Sequence, residues 1–120
     1  MRRFALAISL VLWPFCCFAA DDGVCAVANN HAKFDHHNVV LTGKISTLKE
    51  TASKAGNDYT TFKLEDGNCF LEIFSWGHCP IASGGNIQVE GVFEVETHQG
   101  KYTFYDEVQA TSVNGKTCDN

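Results

Sequence analysis

The sequence predicts an all-β protein built as a small closed barrel of five strands. Between residues 38 and 110, five segments alternate apolar with polar residues, which is typical of half-buried strands. Turn-forming residues separate the segments, most clearly Asp66 and Gly67, and no long amphipathic helix pattern interrupts them. Gly43 and Gly91 fall inside the first and fourth segments, where they indicate bends or close backbone approaches that let a sheet curl and close.

The alternation also assigns an interior to this barrel. The five predicted strands are residues 38–50, 58–65, 68–75, 86–97 and 101–110. Their inward-facing side chains are predicted to be Leu41, Ile45, Phe62, Leu64, Leu71, Ile73, Ile87, Val89, Phe93, Val95, Phe104 and Val108. Because this core is modest, covalent cross-links are expected to support it.

The first nineteen residues have the features of a secretion signal. Arg2 and Arg3 precede an apolar run from Phe4 to Leu12, and residues 17–19 (Cys-Phe-Ala) place small residues where a signal peptidase requires them. The run is shorter than the roughly 20 residues of an ordinary membrane span. We therefore expect residues 1–19 to be a signal peptide and the mature chain to be periplasmic or secreted, without a membrane span.

The expected mature chain is acidic and lacks arginine. Its seven lysines stand against fourteen acidic residues, which gives a formal net charge of −7, and both arginines lie in the signal segment. Arginine is the usual bidentate partner of phosphate groups and guanine edges, and a negative domain repels a polyanion at long range. The composition therefore opposes strong phosphate recognition and disfavours a nuclease.

The four cysteines of the mature chain are expected to form two disulfides, because their number is even and an exported chain meets an oxidising environment. Four cysteines allow three pairings. We favour Cys69 with Cys79, which closes a short loop beside the third strand, and Cys25 with Cys118, which joins the two ends of the mature chain. A zinc site is disfavoured, because no two cysteines form a C-x-x-C pair.

No motif in the sequence indicates catalysis or a cofactor. His31, His36 and His37 carry side chains that bind zinc or copper, but their spacing in an irregular segment fixes no geometry. His78 adjoins Cys79, yet a disulfide-bonded cysteine supplies no thiolate nucleophile. Carboxylates are plentiful without a distinct pair. We therefore expect a binding protein rather than an enzyme, with no catalytic residue, no metal and no cofactor.

Four segments follow an ordered set of motifs: VVLTGKIS, YTTFKLEDG, NIQVEGVF and YTFYDEVQATSV. Gly43, residues 64–67 (Leu-Glu-Asp-Gly) and residues 89–91 (Val-Glu-Gly) carry the pattern, which resembles the OB-fold family of the nucleic-acid-binding, tRNA-anticodon-domain type. The resemblance implies a five-stranded Greek-key barrel over residues 38–112. Such barrels often carry a helix between the third and fourth strands, but here the connection has only about ten residues and contains Cys79 and Pro80, so we expect that helix to be reduced or absent. An N-terminal segment (20–37) and a C-terminal tail (113–120) flank it.

The resemblance also implies a ligand surface on the outward face of the second and third strands. Alternation places the candidate ligand-binding residues there: Tyr59, Thr61, Lys63, Phe70, Glu72, Phe74 and Trp76. Aromatic platforms stack bases or sugar faces, so single-stranded nucleic acid or a glycan is the expected ligand. Two alternatives remain open: a protein partner on this patch, or coverage of Phe70 and Phe74 by the N-terminal segment or the C-terminal tail.

Overall fold

The five predicted strands form, and two short helices precede them. The computed structural model describes residues 21–52 and 56–118, so the expected signal peptide lies outside the described residues. Within the described ranges no helix has the length and apolar character to cross a membrane. The elements in chain order are α1 (Val24–Ala28), α2 (His31–Phe34), β1 (His37–Ala52), β2 (Asp58–Asp66), β3 (Cys69–Trp76), β4 (Asn86–Gln99) and β5 (Tyr102–Val113).

The strands form one sheet that closes on itself in the order β1-β2-β3-β5-β4. Strands β3 and β5 run parallel, and the other neighbours are antiparallel. The parallel contact is short, with the pairs Glu72–Glu107, Ile73–Val108 and Phe74–Gln109. The connection of residues 77–85 between β3 and β4 contains no helix. The predictions of an all-β chain and of a closed five-stranded sheet are confirmed.

Two strand glycines lie where neighbouring backbones come closest. A Cβ atom added at Gly43 would lie 2.6 Å from the carbonyl oxygen of Glu65. At Gly91 it would overlap the carbonyl oxygen of Gln109, and the β4–β5 register shifts between Glu90 and Gly91. No side chain fits in either place. The close backbone approaches that the sequence predicts at these glycines are therefore confirmed.

The barrel interior follows the predicted alternation with additions from the N-terminal segment. Ten of the twelve predicted core side chains are buried, and Val95 is partly buried against them. Val24 and Val27 of α1 are fully buried in the same cluster, which the sequence pattern did not predict. Their spacing puts both on one face of a helical turn, but a five-residue helix is too short to show a period.

The prediction that Phe104 faces the core is wrong, because Phe104 is 40% exposed. Strand β4 pairs with β1 only as far as Phe93, and β5 pairs with β3 only from Glu107 onward. Residues 94–106 therefore extend beyond the barrel as a two-stranded ribbon, here termed the β4–β5 arm. A ribbon of two strands encloses no interior, so Phe104 has no core to enter.

The N-terminal segment is bound along two strands of the barrel. The backbone N–H of Asp22 donates to the carbonyl oxygen of Val40 at 2.7 Å, and the N–H of Val40 donates to the Asp22 carboxylate at 2.8 Å. The carboxylate of Asp35 likewise accepts a hydrogen bond of 2.9 Å from the N–H of Val95 on β4. Residues 20–37 are therefore part of the folded domain in their described portion.

The predicted disulfide pairing is wrong: Cys25 bonds Cys69, and Cys79 bonds Cys118. Cys69 begins β3, whereas Cys79 follows the end of that strand. A strand rises about 3.3 Å per residue, so its eight residues separate the two cysteines far beyond the ~7 Å Cα distance that a disulfide allows. The Cys25–Cys69 bond ties α1 to one end of β3, and the Cys79–Cys118 bond ties the tail to the other.

Peptide mapping under non-reducing conditions is expected to recover Cys25 linked to Cys69, and Cys79 linked to Cys118. The disulfides connect residues 44 and 39 positions apart. By the loop-entropy relation, replacing either pair with serines should lower the free energy of unfolding by about 4 kcal/mol, measured by urea denaturation. A peptide that links Cys69 to Cys79 would contradict the fold.

Candidate functional site

A cleft of about 620 Å³ opens between the β1–β2 hairpin and the β4–β5 arm. Pockets of this size and partly apolar lining are typical of ligand sites. The outward face of β2 and β3 contributes Tyr59, Thr61, Phe74 and Trp76 to its lining. From β1 come Lys49, Thr51 and Ala52, and from β4 and β5 come Gln99, Tyr102, Phe104 and Glu107.

Three rings from β2 and β3 form one wall of the cleft. Tyr59 stacks on Phe74 with ring centroids 5.3 Å apart, and Trp76 meets Phe74 edge to face at 4.9 Å. Phe74 faces outward as the alternation predicts, but only 6% of it is exposed because these rings cover it. Trp76 remains 49% exposed. The wall is therefore a cluster of mutually packed rings that leaves Trp76 exposed at the cleft.

Two rings from the β4–β5 arm form a second wall. Tyr102 and Phe104 have centroids 6.5 Å apart, and Tyr102 is 57% exposed. Asp106 has a left-handed backbone with φ of 53°, which interrupts the pleat of β5. Phe104 consequently lines the same cleft as Glu107, whereas Tyr105 lines a pocket on the other side. A regular strand would have placed Phe104 and Glu107 on opposite faces.

Glu107 is a buried carboxyl at the cleft. It is 6% exposed, and its Oε1 accepts a hydrogen bond of 2.6 Å from the side-chain amide of Gln109. Burial raises the pKa of Glu107 above its ordinary value of 4.5, the Gln109 hydrogen bond opposes that rise, and the nearby carboxylates of Glu72 and Glu94 add to it. Among the described residues that line the cleft, Lys49 is the one cation and Glu107 the one acidic group.

The predicted ligand face is divided in two. Tyr59, Thr61, Phe74 and Trp76 line the cleft, but Lys63, Phe70 and Glu72 do not. The Lys63 ammonium lies over the Phe70 ring, 4.6 Å from its centroid. Phe70 and Glu72 line a separate pocket of about 340 Å³, together with Ala28, His31, Leu71, Tyr105 and Asp106.

The cleft contains residues that the sequence reasoning did not select. Tyr102, Phe104 and Glu107 belong to β5, and strand alternation predicts that Phe104 lies in the core. The signal that could have found them is the density of aromatic residues in residues 102–105, Tyr-Thr-Phe-Tyr, next to a turn at Gly100. Such a run at a hairpin tip is too aromatic for a solvated strand end.

His78 joins two strands beside the cleft without any thiolate chemistry. Its Nε2 lies 2.8 Å from the Asp58 carboxylate and its Nδ1 lies 3.2 Å from the Glu50 carboxylate. The hydrogen bond with Asp58 raises the pKa of His78 above its ordinary value of 6.5, and Glu50 adds to this. Cys79, its neighbour, is held in a disulfide. The imidazole therefore bridges Glu50 of β1 and Asp58 of β2 near the β1–β2 hairpin.

The three N-terminal histidines do not converge on one point. His31 faces Asp106 at 3.2 Å, and His36 lies 3.5 Å from Asp35, while Nδ1 of His37 lies 2.8 Å from the carbonyl oxygen of Asp35. Within residues 21–52 and 56–118, no group of three or more histidine, cysteine or acidic side chains is arranged to hold a metal ion. These histidines interact with carboxylates and backbone at the surface.

Phe74→Ala is expected to lower the free energy of unfolding by about 3 kcal/mol, because it removes a buried ring from the aromatic wall. The matched control is Phe70→Ala on the same strand face, which is expected to cost less than about 1 kcal/mol because half of that ring is in solvent. Urea denaturation of both variants measures the difference. Equal losses would contradict the burial of Phe74 by Tyr59 and Trp76.

Glu107→Gln is expected to raise stability at neutral pH relative to the native chain. A raised pKa means that the folded state binds the Glu107 proton more readily than the unfolded state does. The contribution of Glu107 to stability is therefore greatest below 4.5 and falls as pH rises through its folded pKa. Urea denaturation from pH 4.5 upward should show that the free energy of unfolding of Glu107→Gln increases relative to that of the native chain as pH rises. The control is Glu90→Gln, which lies outside the cleft. If the stability difference between Glu107→Gln and the native chain does not change with pH, the raised pKa of Glu107 is contradicted.

Comparison with known proteins finds no family model that matches the chain and no curated protein similar to it.

Proposed function

We propose that the chain is an exported binding module of the OB-fold, Greek-key type, and that it holds an oligomeric ligand in the cleft. The observation that carries the proposal is that two groups of aromatic rings, one from β2 and β3 and one from the β4–β5 arm, line the same cleft. Exposed rings that flank an open channel suit a chain of stacked units, such as the bases of a nucleic acid or the rings of a glycan.

The strand arrangement supports the OB-fold part of the proposal. Five strands in the closed order β1-β2-β3-β5-β4, with one parallel contact between β3 and β5, agree with the architecture that the motif resemblance implies. In that fold, ligands occupy the face of the second and third strands between the β1–β2 and β4–β5 loops. The cleft occupies the corresponding place here, although fold alone does not assign a ligand.

Two features support export. The sequence begins with a charged and then apolar segment of signal-peptide character, and two disulfides stabilise the domain. Disulfides persist in oxidising compartments such as the periplasm. The partly apolar, aromatic lining of the cleft suits non-covalent binding of a ligand.

A protein partner is the second candidate, and two exposed rings outside the cleft favour it. Phe70 is half exposed and Tyr105 is 64% exposed, and both line the smaller pocket beside α1 and α2. Exposed aromatic residues that cluster beside a pocket are typical of protein contact sites. This candidate predicts that Tyr105, rather than Tyr102, is needed for binding.

The β4–β5 arm offers a matched pair of variants for the test. Tyr102 lines the cleft and Tyr105 does not, yet both are exposed tyrosines of the same strand. The reporter is the fluorescence of Trp76, the one tryptophan of the expected mature chain. The probes are neutral hexasaccharides (cellohexaose, chitohexaose and maltohexaose) and an oligothymidylate of about twelve nucleotides, within the range that such sites span.

We expect at least one probe to change Trp76 fluorescence, and Tyr102→Ala to weaken that binding about tenfold through the loss of a stacking contact. Tyr105→Ala should bind as the native chain does. If no probe alters the fluorescence at low salt, the proposed oligomer-binding function is wrong. If binding depends on Tyr105 and not on Tyr102, the ligand lies in the smaller pocket and the cleft is not the site.

A further inference from the structure

We infer that the ligand of the cleft is an uncharged oligosaccharide, and that the Glu107 carboxyl binds its hydroxyl groups. The inference rests on the proposed binding function and names the chemical class that the cleft selects. It is carried by the position of a buried acidic side chain in a cleft that is also lined by two groups of aromatic rings.

Glu107 is held in a fixed orientation at the cleft. Its pairing with Glu72 on β3 and Glu94 on β4 places it in the middle of a row across three strands. The Gln109 amide donates to Oε1 at 2.6 Å from the same strand, and Gln109 is itself paired with Phe74 of the aromatic wall. The carboxyl is therefore oriented before a ligand arrives, which reduces the ordering cost of binding.

The barrel gains no stability from ionising Glu107. Burial and two flanking carboxylates disfavour its charged form. Groups placed at such a cost in a cleft are more typical of functional sites than of scaffolding. An apolar or amide side chain would serve the fold better at this position, so the acid has a role in the cleft.

The chemistry of an acid between aromatic rings distinguishes two classes of ligand. A sugar hydroxyl donates a hydrogen bond to a carboxylate, while the apolar face of the sugar ring stacks on Trp76 or Tyr102. A phosphodiester has no hydrogen to donate, and its charge is repelled by the carboxylates of Glu72 and Glu94 next to Glu107. Among the described lining residues, Lys49 alone offsets that repulsion.

The overall charge of the chain also favours a neutral glycan over a nucleic acid. The expected mature chain carries −7 and has no arginine. Nucleic-acid sites gain most of their affinity from cations that neutralise phosphates, and this affinity falls steeply with salt. A neutral glycan needs no such cations. The acidic surface therefore excludes polyanions from the cleft while leaving a neutral ligand unaffected.

The test compares neutral hexasaccharides with oligothymidylate on the mature, disulfide-bonded chain, with Trp76 fluorescence and calorimetry as readouts. We expect at least one of cellohexaose, chitohexaose and maltohexaose to bind with an affinity that does not change with salt. Oligothymidylate should bind at least about tenfold more weakly, or not at all. Glu107→Gln should weaken glycan binding about tenfold, because an amide is a weaker hydrogen-bond partner for sugar hydroxyls than the carboxyl group it replaces.

The controls separate the role of Glu107 from effects on folding. Glu90→Gln removes a carboxylate outside the cleft and should bind as the native chain does. Glu107→Gln should remain folded to at least the native stability at neutral pH, so weaker binding cannot be ascribed to unfolding.

Three results would overturn the inference. Tighter binding of oligothymidylate with a steep salt dependence shows that the ligand class is wrong, while the proposed binding function stands. Glycan binding that survives Glu107→Gln shows that Glu107 is not the anchor. If none of the glycans binds and oligothymidylate does not bind either, both the proposed function and this inference are wrong.

Discussion

The molecule depends on the short parallel contact between β3 and β5, because those three residue pairs close the sheet into a ring. Without them, Ile73 and Val108 would lie at open strand edges instead of in the core, where both are fully buried. The same pairs set Glu107 beside Glu72 and Gln109 beside Phe74. The interior of the barrel and the walls of the cleft therefore arise from one contact.

The two disulfides hold β3 at both ends and so support this contact. Cys69 at the start of the strand is bonded to α1, and Cys79 beyond its end is bonded to the C-terminal tail. The buried valines of α1 then fill the interior next to β3. A small domain with a limited apolar core needs such constraints, and here both disulfides hold the strand that makes the short parallel contact with β5.

Local patterns predicted the strands well, and non-local geometry decided the rest. Alternation identified the inward side chains of β2 and β3, and the glycines of β1 and β4 predicted the close backbone approaches. The disulfide pairing could not be read from spacing, because it depends on the length of β3 and on the place where α1 rests. Whether Phe104 faces the core or the solvent depends on where the pairing of β5 with β3 ends and on the left-handed backbone at Asp106. Neither follows from the alternation of apolar and polar residues. Seven of the eleven described residues that line the cleft were not predicted, and for Phe104 and Glu107 on β5 the reason is the same.

The β4–β5 arm separates the parts of β5 that serve different purposes. Residues 107–113 lie within the ring of strands, where Val108 and Val113 belong to the core, whereas residues 102–106 project beyond it. Side chains on the projecting part can change without disturbing the interior. Ligand preference can therefore evolve by exchange of a few rings at the hairpin tip, while the barrel beneath stays constant, so related chains with one scaffold are expected to differ in what they recognise.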